Sequence, residues 1–300
     1  MLVLEGIVAS IRDGAPASVS GAVHIGDDGL IAAVTPLDAE PARATPWASH
    51  TEWPRRAATY QARVSDPAEL LGKAAGRALL RYVETRAIIG GTTAIQGNPK
   101  GTPPPDGDLV RNIDSERLGT HQDFIRVRTL VASKVEDLDP YVTAVGQHHA
   151  FIYHLCEGTG PRLLSEYALV DDAGLVHRLL IAIHGTALGR TQLAALAAVG
   201  ATLVWSRFSN LWLYGGTAAI DQASAAGLRI CLGSDWAPSG TKNVLWELKV
   251  ADLWNRVQPR PVFTAEQRSC RRTHPRVSSP LAPARRRMVP PRGNSHPGRR

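Results

Sequence analysis

Leu179-Leu-Ile-Ala-Ile183-His184-Gly185 sets five apolar residues directly before a histidine and a glycine. A short apolar run of this kind reads as a buried strand, and the histidine then sits at its carboxyl end. The same arrangement recurs on both sides. In Phe151-Ile-Tyr-His154-Leu-Cys-Glu157-Gly158 the run ends in a histidine, with a glutamate three residues later. In Arg229-Ile-Cys-Leu-Gly233-Ser-Asp235 it ends in a carboxylate. Further strands are predicted over 92–96, 124–132 and 202–205, and helices over 67–89, 163–170, 191–199 and 217–226. Asp66 is the expected N-cap of the first helix, and Gly90-Gly91 its end. Strands alternating with helices at this spacing mean βα units around a parallel sheet. Polar groups at successive strand ends suggest a barrel, so the predicted fold is α/β, a partial (β/α) barrel of the TIM type with about six visible strands.

Outside this region the pattern changes. Residues 1–36 alternate short β-type runs, Leu2 to Ile11, Gly21 to Ile25 and Leu30 to Val34, with an Asp27-Asp28-Gly29 turn before the last. They are expected to form a small antiparallel sheet, which resembles the remnant of an N-terminal β-sandwich. Residues 37–66, rich in Ala, Pro and Arg, read as an irregular connector. The barrel domain is assigned to 67–255, and the Arg/Pro-rich stretch 256–300 is expected to be disordered.

Charge follows the same division. The net charge is +7, but residues 256–300 hold twelve Arg, no Lys and one acidic residue, Glu266. Residues 1–255 therefore carry 22 basic and 26 acidic groups, a formal charge of −4. That gives the folded part no general affinity for nucleic acid, which is not the expected partner. Cys156, Cys231 and Cys270 form no Cys-x-x-Cys pair, so neither a disulfide framework nor a thiolate zinc site is indicated. With no run of about 18 apolar residues and no basic segment ahead of a long apolar stretch, membrane anchoring and export are not expected. The expected compartment is the cytoplasm; the oligomeric state is left open.

Each strand-end group has an ordinary structural reading. His154 with Glu157 reads as a hydrogen-bonded pair, His184 as a satisfied core histidine, and Asp235 as a helix cap. Three strand ends among four consecutive strands, all carrying groups able to bind metal and move protons, make coincidence a poor account, because the catalytic groups of such barrels gather at that end. Trp205, Trp212, Tyr214 and Trp236 lie near these motifs, where they either stack on a flat substrate or pack beneath the loops.

Order and spacing together resemble the amidohydrolase superfamily, in particular its cytosine deaminase-like and triazine hydrolase-like branch. Trp205-Ser-Arg-Phe-Ser209-Asn210 is similar to that branch's seventh-strand loop ending in Ser-Asn, and Gly90-Gly-Thr-Thr93 to its approach to an early strand. The resemblance implies a hydrolase of carbon–nitrogen (non-peptide) bonds, in which water activated by a divalent metal, zinc first and iron second, attacks a C–N, amide or related bond of a small, cyclic substrate. It further implies His154 and Asp235 as metal ligands. Glu157 would be the proton shuttle, His184 the group polarising the substrate, and Asp235 also the general base. Two departures accompany it. Residues 35–66 hold only His50 where the family has His-x-His, and the sequence after Gln267 becomes Arg/Pro-rich. They leave a second reading open, an incomplete scaffold without turnover.

Overall fold

The computed structural model describes residues 2–12, 15–25, 31–36, 46–53, 60–92, 94–97, 109–112, 126–128, 132–145, 151–160, 162–236 and 239–264. At its centre is a parallel ladder of five strands: β6 (Arg126–Arg128), β7 (Phe151–Leu155), β8 (Leu180–His184), β9 (Thr202–Trp205) and β10 (Arg229–Leu232). Spatial order and chain order coincide, and every neighbouring pair is parallel. This is the winding of a (β/α) barrel, and the ladder does not close on itself among the described residues, so the barrel is partial. Register matters for function. Leu155 lies beside His184 and Trp205 beside Leu232, which brings the carboxyl ends of these strands to a common rim.

Helices α3 (Leu163–Asp172), α4 (Arg190–Ala198) and α6 (Ile220–Ala225) follow β7, β8 and β9. Between β9 and α6 lies α5 (Arg207–Tyr214), and α7 (Val244–Arg256) follows β10. Leu163, Tyr167 and Val170 of α3, Leu193 and Leu196 of α4, and Ile220 and Ala223 of α6 join the strand residues Phe151, Leu180 and Leu203 in one core. Each fully buried Leu or Ile contributes about 1.5–3 kcal/mol. Asn243 caps α7 by accepting the Trp246 N–H at 3.2 Å.

Ahead of the ladder, β4 (Ala94–Ile95) and β5 (Arg111–Asn112) form a separate parallel pair, and α2 (Asp139–Val145) precedes β7. The long helix α1 (Asp66–Ile89) forms as predicted, entered by a π-helical turn over Gln61–Ser65 and kinked at Ala75. Its cap differs from the expectation: Ser65 is the N-cap residue and makes no side-chain bond. Its buried face is not its most apolar one. Gly72, Gly76, Leu80, Glu84 and Ala87 face inward, whereas Leu70, Leu71 and Tyr82 are exposed. The reason is Glu84, whose Oε1 accepts the backbone N–H of Leu109 at 2.8 Å and of Val110 at 3.4 Å. A buried carboxylate costs several kcal/mol unless paired, so these bonds fix the rotation of the helix.

At the N-terminus, β1 (Leu2–Arg12), β2 (Ala15–Ile25) and β3 (Ile31–Pro36) form the antiparallel sheet that the sequence suggests, with β2 starting earlier than expected. The Asp27-Asp28-Gly29 turn lies outside the described residues. No helix among the described residues is long and apolar enough to cross a membrane. Beyond Asn255, where disorder was expected, the chain folds back. The Asn255 Oδ1 accepts Val262 N–H at 2.7 Å and Phe263 N–H at 2.9 Å, and Phe263 packs into the core. The remainder of the tail, 265–300, lies outside the described residues.

Candidate metal centre

Two strand ends converge. His154 leaves β7 half-buried, Glu157 follows on the outgoing turn at 3% exposure, and His184 closes β8 at 1%. One donor atom from each of these three residues lies within 4.8 Å of the other two. The His154 and His184 rings stack at 5.5 Å between centroids. Cys156 and His184 reach these positions with φ of 53° and 68°. Left-handed backbone at non-glycine residues is costly, and where it persists the surroundings over-determine it. For Cys156 the determinant is Glu166 of α3. Its Oε2 accepts the Cys156 N–H at 2.9 Å and its Oε1 the Tyr153 hydroxyl at 2.6 Å. Thr186 ties the two turns together, accepting Gly158 N–H at 2.6 Å and donating to Gly158 C=O at 2.8 Å.

Helix α5 supplies a second layer. Asn210 and Tyr214, four residues apart and therefore on one face, reach His184 and Glu157 respectively. Asn210 Oδ1 lies 2.8 Å from His184 Nδ1, and its amide nitrogen donates to Thr217 at 3.3 Å. That orientation makes Nδ1 the protonated nitrogen and turns Nε2 toward Glu157 Oε1, 3.4 Å away. The Tyr214 hydroxyl donates to the same Oε1 at 2.6 Å. Burial and then the adjacent Glu157 carboxylate push Tyr214 far up, so it remains a phenol and a donor. At His184 burial is the largest influence and favours the neutral ring. It is outweighed by Glu157, Asp235 and the Asn210 bond, which together raise its pKa above the ordinary 6.5. Cys156 is pushed up by burial and then by Glu166, which leaves an inert thiol.

Asp235 stands apart. It follows β10 with φ of 59°, half-buried, and is not part of the three-residue group. Its Oδ1 accepts the N–H of Trp236 at 2.6 Å, and its charge still acts on His184 and Tyr214. Trp205 is buried, with Nε1 donating to Thr217 at 2.7 Å and the ring packed edge-on against Trp254, so its role is packing. Trp212 is exposed. Trp236 instead joins Trp53 and Tyr60, at centroid distances of 5.9 and 6.0 Å, in an aromatic cluster beside Asp235.

One site residue comes from the stretch read as an irregular connector. His50 places Nδ1 3.3 Å from Glu157 Oε2, and its ring lies 5.8 Å from that of His154. Nothing in the local sequence signals this; the position is set by docking onto Gly158, more than a hundred residues away. The Tyr214 contact did carry a signal, its i, i+4 spacing from Asn210, which becomes visible once a helix is assigned after Trp205.

A chemically sensible metal set results. Two imidazoles and a carboxylate form the His₂Glu donor set of catalytic zinc sites, so the residues present fit a divalent ion. Asn210 fixes one imidazole as a second-layer partner should.

No family model matches the chain. It is 36% identical over 90 residues to a 5-methylthioadenosine/S-adenosylhomocysteine deaminase of Pyrococcus furiosus, a match covering 30% of this chain and 22% of the relative. The enzyme of the same name from Desulforudis audaxviator is 33% identical over 94 residues, covering 31% and 22%. The matched stretches thus span under a quarter of these curated relatives. Among solved structures, the zinc complex of atrazine chlorohydrolase from Arthrobacter aurescens superimposes with a TM-score of 0.53, covering 91% of this chain and 81% of that one at 13% identity. A zinc-bound adenosine deaminase of Xanthomonas campestris gives 0.50, covering 86% and 75% at 18% identity. Local sequence and overall fold point the same way: a stretch of the chain is similar to these deaminases, and its fold is similar to that of zinc-bound hydrolases and deaminases.

Proposed function

We propose that the chain is a metal-dependent hydrolase acting on a C–N, amide or related bond of a small cyclic molecule. The observation that carries this reading is the meeting of His154, Glu157 and His184 within 4.8 Å at the carboxyl ends of adjacent strands. These three would hold a divalent metal, zinc foremost and iron second. When bound it would supply Lewis acidity to the reacting water and carbon. Glu157 carries protons between water and leaving nitrogen, a role suited to a buried carboxylate bonded to Tyr214 and facing His184. His184, held by Asn210 through Nδ1, would present Nε2 to the ion as a ligand, which takes the place of the substrate-polarising role that the resemblance implies for it. Asp235 at the rim is the general base. Trp53, Tyr60 and Trp236 offer aromatic faces beside Asp235, which suits a flat ring. The named activity of the matched relatives, deamination, is hydrolysis of the proposed kind.

A second reading rests on one specific observation, the lack of any His-x-His pair in the sequence: a folded scaffold without turnover. Elemental analysis of the purified chain beside Glu157→Gln separates the two. The hydrolase reading expects about one equivalent of metal in the unaltered chain, and deaminase or amidase turnover that falls about 10²–10⁴-fold in Glu157→Gln. A cooperatively folded chain with no metal supports the scaffold.

A further inference from the structure

We infer that His50 is a fourth donor to the centre formed by His154, Glu157 and His184, so that an imidazole from residues 46–53 completes it. The inference rests on the proposed metal site. Its geometric basis is the row of three imidazoles, His50 to His154 at 5.8 Å and His154 to His184 at 5.5 Å, with Glu157 between the outer two, 3.3 Å from His50 and 3.4 Å from His184.

The segment bearing His50 is held in place by bonds on both sides of the site. Ala48 C=O accepts Thr159 N–H at 3.0 Å and Gly160 N–H at 2.9 Å, Trp47 N–H donates to Leu213 C=O at 2.9 Å, and Ser49 forms a β-bridge with Gly158. Gly158, at φ 136°, is required for this approach, because a Cβ there would meet the Ala48 oxygen. Gly215, which ends α5 in the left-handed conformation, similarly accommodates Pro46. Within the segment, Glu52 Oε2 accepts Ala48 N–H at 2.7 Å, closing the turn on which His50 sits. The His50 side chain is only 17% exposed, and it faces the one carboxylate that all the site's imidazoles surround. Three imidazoles and a carboxylate would give four protein ligands, and expansion to five-coordinate would keep a position for the reacting water.

The test is zinc affinity of the full chain, by competition with a chromophoric chelator, for the unaltered protein, His50→Ala, His50→Gln and a control, His177→Ala. His177 bonds Leu179 N–H at the opposite end of β8. Zinc binding weaker by about 10–100-fold in both His50 variants, with His177→Ala unchanged, is the expected result. Proton NMR of the cobalt(II) form provides a readout that a purely structural role would not move: paramagnetically shifted imidazole N–H signals from three histidines, reduced to two in His50→Gln. Equal affinity in His50→Gln and the unaltered chain overturns the inference and leaves the metal reading intact. No zinc binding by the unaltered chain overturns both.

Discussion

β7 and β10 belong to one ladder and end alike, each an apolar strand followed by a non-glycine residue in left-handed backbone, Cys156 at φ 53° and Asp235 at 59°. Beyond that point they diverge. The turn after β7 is clamped from three directions, by Glu166 from α3, Thr186 from the next turn and Ala48 from the N-terminal side. The turn after β10 closes on itself, with Asp235 Oδ1 on Trp236 N–H and Thr241 N–H on Ser234 C=O at 2.9 Å. One turn delivers Glu157 into the group of donors, and the other leaves Asp235 at its edge. A strand end brings a polar side chain to the rim of the barrel; the hydrogen bonds behind it decide whether it joins its neighbours.

The largest effect is expected at the clamp. Glu166→Ala removes the acceptor for Tyr153 O–H and Cys156 N–H inside the core and should cost about 4 kcal/mol, read as a lower urea midpoint with an unchanged slope. A loss below about 1 kcal/mol would mean that the β7 turn holds its shape unaided, erasing the contrast with β10. A smaller effect follows from His184. Because its pKa is raised in the folded chain, the metal-free protein gains stability that is complete below about pH 6.5, the unperturbed histidine value, and is lost as pH rises through the raised value. Denaturation at pH 6 and pH 9 should show that decline, and His184→Gln should flatten it. The smallest structural effect belongs to the other turn. Asp235→Asn keeps an acceptor for Trp236 N–H and should change stability by less than about 1 kcal/mol. Its zinc affinity should stay within about twofold while turnover is lost. Tenfold weaker zinc would show Asp235 acting as a ligand and would merge the two turns into one site.

Much of the ladder was legible because its signal is local. Each apolar run at 151–155, 180–183 and 202–205 is itself the buried strand, and the polar residue after it is where the chain leaves the sheet. His154, Glu157, His184 and Asp235 were therefore visible as strand-end groups, with His154 and Asp235 expected as the ligands; that Glu157 and His184, and not Asp235, gather with His154 has no local signal. The inward face of α1 was not, since Gly72 and Gly76 carry no apolar signal and Glu84 carries the opposite one; its partners are backbone groups 25 and 26 residues away. His50 was hidden for a similar reason. Its neighbours show no periodicity, and its place depends on a glycine elsewhere that leaves room for Ala48.

The bond from Thr159 Oγ to Trp47 C=O spans 112 positions of the chain. While the βα units between them are stabilised by near neighbours, this contact must wait for the intervening chain to be ordered, since long-range closure gains little until local structure has shortened the path. His50 therefore reaches Glu157 late in folding, after the barrel strands have paired.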